Sequence, residues 1–192
     1  MESAADILPL YQYELIRKDK KQEASERKKL TRVSVGPYAT ALFENWDSMW
    51  LQIQEMLRIE KGGEDQLADE LAAYDPMVPK GRELTVTLFF EVADPVRRDA
   101  FLRMIGGVED HIAIQLGEHV IRARPEGDVE RTRESDGKAS AVHFFHFDFT
   151  PEAIAAWKSG EGQAMLVIDH PNYGHAALIS PQSRDYLSRE CF

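Results

Sequence analysis

A single cysteine among 192 residues, Cys191 beside the C-terminal residue, leaves no partner for an internal disulfide. It also rules out a thiolate cluster for zinc or an iron–sulfur centre within one chain. No run of about 18 apolar residues exists, so no membrane-crossing helix is expected. Residues 1–6 lack the basic and apolar regions of a secretory leader, and the expected location is the cytoplasm. Glycine-rich nucleotide loops, a Gly-x-Ser-x-Gly nucleophile elbow, a His-Glu-x-x-His zinc motif and an EF-hand loop are all missing. So are internal repeats and low-complexity linkers, which favours one domain over residues 1–192.

What is present suffices for a folded core, with 43% hydrophobic and 29% charged residues. The net charge of −10 is unevenly spread. Residues 17–32 hold eight basic side chains against Asp19, Glu23 and Glu26, so this stretch carries +5 and the remainder −15. Phosphate binding favours a domain that is basic throughout, so an acidic body argues against a nucleic-acid partner. Residues 17–29 read instead as a polar basic helix or arm with i,i+4 pairs such as Glu23 and Arg27.

Asp6 is placed to cap a first helix whose inner stripe is Leu8, Tyr11 and Leu15, and beyond Ile16 that helix should end or project into solvent. Two short strands, 32–35 and 39–43, flank Gly36-Pro37. Trp46, Met49, Trp50, Ile53, Met56 and Leu57 share one side of a helix capped near Asn45. A second helix over 64–74 precedes a proline-restrained, non-helical loop at 75–81. Residues 84–92 alternate as a half-buried strand, and Asp94-Pro95 opens a short helix. Gly117-Glu118 joins a hairpin, 125–138 is an exposed loop, and 141–149 is a strand apolar on both faces. Thr150-Pro151 and Ser180-Pro181 start helices on either side of a last hairpin turning at 170–174. Tight hairpins require antiparallel pairing. The expected class is therefore α+β, a largely antiparallel sheet with helices mainly on one face and mixed pairing left open.

Few side chains carry acid–base or ligating chemistry. His143 and His146 are three apart on a strand and face opposite ways, so they cannot chelate one ion together. His143, among Phe145, Phe147 and Phe149, reads first as a hydrogen-bonded core residue. His146 has Asp148 two residues along its own face. Asp169, His170, Asn172 and Tyr173 read first as a turn and second as a strand-end ligand or acid–base set. Glu55 and Arg58 border the tryptophan-bearing helix face, where a structural role leads.

The strings Gln52-Ile53-Gln54-Glu55-Met56-Leu57-Arg58-Ile59-Glu60, Glu70-Leu71-x-x-Tyr74-x-Pro76-x-x-Pro79, Ser140-x-x-His143-Phe144 and Ile168-Asp169-His170-Pro171-Asn172-Tyr173 occur in that order. In this the chain resembles the bacterial family known as domain of unknown function 3501. The resemblance implies an accessory role in redox or iron handling, because members tend to be encoded near a rubrerythrin-like protein and an iron–sulfur oxidoreductase. It supplies no catalytic residues. Two readings follow: a non-catalytic accessory protein for such a partner, or a small metal- or ligand-dependent enzyme. The second would gather Glu55, His143, Asp169 and His170 around a divalent metal, with Arg58, Asn172 and Tyr173 lining the pocket. A homodimer is a base-rate expectation, helped by Trp46 and Trp50.

Overall fold

Local signals set many element boundaries in the computed structural model, which describes residues 4–127 and 131–192. Asn45 caps helix α2 (Trp46–Glu60) in a reciprocal box with Ser48, and Lys61 ends it in a left-handed conformation. Asp94, Thr150 and Ser180 each accept a backbone N–H at the start of α4 (Pro95–Met104), α5 (Pro151–Ser159) and α6 (Pro181–Cys191). In all three, proline fills the first turn, where its missing donor is harmless. Helix α3 (Gly63–Tyr74) runs into a 3₁₀ turn, Asp75–Met77, within the loop expected to be non-helical. Its prolines still prevent α-helical continuation.

Helix α1 (Leu10–Thr31) departs most from expectation. It neither frays after Ile16 nor buries Tyr11 and Leu15, which are 69% and 82% exposed. Its buried positions are Tyr13, Ala24 and Thr31. Small residues let its second half lie close on the sheet, while its charged flank pairs with other elements. Pro9, not Asp6, occupies its N-cap position. Residues 17–29 lie within this helix.

Nine strands form two sheets among the described residues, not the single sheet expected, and every pairing is antiparallel. The first has the order β1 (Arg32–Val35), β2 (Ala39–Glu44), β3 (Glu83–Phe90), β7 (Val142–Asp148), β6 (Arg124–Pro125). The second has β5 (His119–Arg122), β4 (Ile112–Leu116), β8 (Ala164–His170), β9 (Tyr173–Ile179). The chain switches sheets between β5 and β6, inside the second strand of the hairpin expected around Gly117-Glu118, and β6 takes in the first residue of the loop expected over 125–138. Residues 128–130 of that loop lie outside the described residues.

The inner faces of the two sheets share one core. Val35, Ala41, Phe43, Val86, Leu88 and Phe145 come from the first, and Ile114, Leu116, Leu166 and Ile168 from the second. Phe101 of α4, Ile105 just after it, Trp157 of α5 and Leu187 of α6 join the same cluster. With helices beside two antiparallel sheets, the class is α+β, as expected. The first three helices border the outer face of the five-stranded sheet, and the last three contribute to the core between the sheets. On the outer face of the four-stranded sheet, Val120 and Leu178 stay exposed.

Tyr173 ties the two sheets together. Its hydroxyl donates to the Val35 carbonyl at 2.7 Å and accepts from the Tyr38 and Ala39 N–H groups at 3.0 Å each. Gly36 makes this approach possible. It has φ +71, and a Cβ there would sit 2.5 Å from the His175 ring and 2.8 Å from the Tyr173 hydroxyl.

Candidate ligand groove

Strand register builds the outer face of the first sheet as three rows. Thr40, Phe89 and Val142 lie side by side, then Leu42, Thr87 and Phe144, then Glu44, Thr85 and His146. The third row is covered. Thr85, expected on an exposed face, is fully buried and donates to the Met77 carbonyl at 2.6 Å. The other two rows are only partly covered, leaving Val142 and Phe144 38% and 39% exposed.

These rows floor a groove of about 390 Å³. One wall is α1, through Lys21, Ala24, Arg27, Lys28 and Thr31; the other is α2 and α3, through Met49, Gln52, Glu55 and Tyr74. At its inner end Glu44 is only 3% exposed. Its carboxylate accepts from Thr87 Oγ1 and Ser48 Oγ, each at 2.6 Å. Burial pushes its pKa above the usual carboxylate range, against the pull of those hydroxyls and of Lys28 and Arg27. Ser48 is the residue that closes the α2 cap, so the helix start also positions the carboxylate.

Glu55, one of the residues singled out from the sequence, stands on the groove wall. Arg17 holds it through two bonds, 2.7 and 2.9 Å, Tyr13 donates to it at 2.5 Å, and Lys21 lies 3.8 Å away. The Arg17 guanidinium, helped by Tyr13, lowers its pKa to about 2. Burial, reinforced by this carboxylate, pushes the Tyr13 phenol up. Arg58 bonds Glu14 at 2.6 Å, so both residues fasten α2 to α1. Trp50 donates to the Asp6 carbonyl at 2.9 Å and stacks beneath Trp46, which is thereby covered on one side within the chain.

The remaining candidates lie elsewhere. His143 packs in the core against Phe145 and Phe90, with Nε2 bonded to the Ser140 carbonyl at 3.0 Å. Among the described residues its Nδ1 is buried without a partner, and burial lowers its pKa. His170 accepts the Asn172 N–H at Nδ1 and so donates from Nε2 to the Gly106 carbonyl, both at 3.2 Å. Asn172 reaches the Met104 carbonyl at 2.8 Å, and Asp169 pairs with His111 at 2.9 Å. The β8–β9 turn is thus clamped onto the end of α4. Glu55, His143, Asp169 and His170 do not converge on a shared metal position. Among the described residues, no group of three or more His, Cys, Asp or Glu is placed to hold a metal ion. The reason is topological: these residues belong to a helix outside the first sheet, the core between the sheets, and a turn at the end of the second.

Sequence reasoning missed two polar clusters. His146 faces Glu83 Oε2 at 2.6 Å through Nδ1 and Glu126 through Nε2, while its expected neighbour Asp148 binds Arg124. Arg184 is buried, with donors on the carbonyls of Ala156, Trp157, Glu161 and Gly162 at the end of α5. Arg184 backs a larger cavity of about 700 Å³. The charged groups of that cavity are already engaged, since Lys158 bonds the Phe192 carbonyl and Arg189 pairs with Asp185. Glu44 escaped notice because the strand was expected to stop at Phe43; the Asn45 cap signal places it at the strand end.

The sequence profile of a family described as a protein of unknown function (DUF3501) matches residues 3–191. The chain belongs to this family. It is also similar to a crystal structure of a novel protein of unknown function from Burkholderia pseudomallei K96243. That match has a TM-score of 0.90 and 33% identity, covering 99% of this chain and 98% of that one. No curated protein matches the chain. Among the described residues no helix is long and apolar enough to cross a membrane.

Proposed function

We propose that the chain is a non-catalytic binding protein whose groove between α1, α2 and the five-stranded sheet takes a small, partly apolar ligand. One observation carries the reading. Phe144 and Val142 stay open on a sheet face whose adjoining row is closed over, between walls formed by α1 and α2. The groove volume of about 390 Å³ lies in the range of small-molecule sites, roughly 300–1,000 Å³. Glu44 supports the same reading. A buried carboxylate lowers stability, and polar groups retained at such a cost concentrate at functional sites.

The resemblance supplies the setting, an accessory in the cytoplasm to an iron–sulfur oxidoreductase or rubrerythrin-like protein. A thermal-shift screen of amphiphiles against wild type and Phe144→Asp tests the groove. Stabilisation of wild type alone is expected; no stabilisation by any amphiphile, or equal stabilisation of the folded variant, contradicts it. The partner is tested separately, by co-purification at low ionic strength with loss of the complex in salt. Failure to co-purify counts against the setting and leaves the groove standing.

A further inference from the structure

Resting on that reading of the groove, we infer that its ligand is an amphipathic monocarboxylate, with an apolar chain on Leu42, Phe89, Val142 and Phe144 and its anionic head at Lys28. The floor decides the first half. Four apolar side chains adjoin one another across three strands, and the hydroxyls beside them are turned away, Thr87 donating to Glu44 and Thr40 to Glu91. Nothing in the floor rewards a polar ligand body, whereas an apolar chain laid there removes Phe144 and Val142 from water.

Charge decides the second half. In a chain of net charge −10, the groove wall formed by α1 presents Lys21, Arg27 and Lys28. Two of these are engaged: Lys21 lies 3.8 Å from Glu55, and Arg27 is 3.2 Å from Asp47. Glu55 is itself held by Arg17 and Tyr13 and is no longer a free anion. Lys28 attracts the buried Glu44 but forms no ion pair with it or with any other of the described residues. Glu44, the other lining carboxylate, is buried behind two hydroxyl donors. The cation left to meet a ligand is therefore Lys28, above the apolar floor. A cationic head would meet Arg27, Lys21 and Lys28 together, and a neutral one would leave Lys28 unused.

Isothermal titration of the full chain at pH 7 with octanoate, octanol and octyltrimethylammonium separates this inference from the groove itself. Octanoate is expected to bind at least 10-fold more tightly than the other two. Lys28→Glu is expected to erase that preference, and Phe144→Asp to abolish binding of octanoate and octanol alike. Circular dichroism would verify that each variant is folded. Octanol binding as tightly as octanoate, or Lys28→Glu without effect, would overturn the carboxylate and leave the groove standing. Binding that survives Phe144→Asp, or no binding by any of the three, would overturn both.

Discussion

Replacing Glu44 with glutamine keeps the outline of the side chain, removes its charge and turns one acceptor oxygen into an NH2 donor, whose bond is kept when Thr87 accepts instead of donating. In wild type, 97% of this residue's surface is withdrawn from water. Such burial costs an ionised carboxylate several kcal/mol. The two hydroxyl bonds from Ser48 and Thr87 return roughly 1.5–3 kcal/mol each. These amounts nearly cancel, and the raised pKa says which wins: desolvation exceeds the hydroxyl bonds and the attraction of Lys28 and Arg27. A net gain of about 1 kcal/mol for Glu44→Gln is therefore expected at neutral pH. The pH dependence follows from the direction of the shift. Below the ordinary value of 4.5, folded and unfolded wild type both hold the proton, and the glutamine has little advantage. As pH rises from there through the higher folded value, wild type loses stability that glutamine does not. Urea denaturation of both proteins between pH 4 and pH 8 should show curves that diverge upward in pH. A glutamine variant less stable than wild type at pH 8 would refute the reasoning, because the carboxylate would then be a net stabilising group.

Three other perturbations test the frame around the groove. Tyr173→Phe removes one oxygen and strands the Val35 carbonyl with the Tyr38 and Ala39 N–H groups, so a loss of about 2–3 kcal/mol in urea is expected. Arg184→Leu leaves the carbonyls at the end of α5 without their buried donor, an expected loss of about 3 kcal/mol by thermal or urea unfolding. Arg17→Ala acts on acid stability. Glu55, lowered to about 2, contributes stability above its ordinary 4.5 that is lost as pH falls from there toward 2. Without Arg17 much of that contribution should disappear, flattening an acid titration of stability over this window.

Short-range features of the fold were legible because short-range physics determines them. Asn45, Asp94, Thr150 and Ser180 cap helices wherever they precede a helical pattern, and Gly36 and Gly117 turn hairpins through positive φ. The division into two sheets was not legible. It depends on Arg124 pairing with His146 immediately after Arg122 pairs with Ala113, and nothing local marks that switch. Helix α1 misled for another reason: Tyr11 and Leu15 are apolar but exposed, and its inner half is made of Ala24 and Thr31. The site was legible only through Glu55. His143, Asp169 and His170 are chemically able residues whose partners lie too far along the chain to be seen, and Glu44 becomes notable only once Thr87 and Ser48 close around it.

The central claim, that the groove on the five-stranded sheet is the binding site, is tested most directly by amide and methyl NMR of the full chain titrated with octanoate. Saturable shifts are expected at Lys28, Leu42, Thr87, Phe89, Val142 and Phe144. Shifts confined to the cavity around Leu178 and Arg184, or none with octanoate and none with octanol titrated in its place, would contradict it.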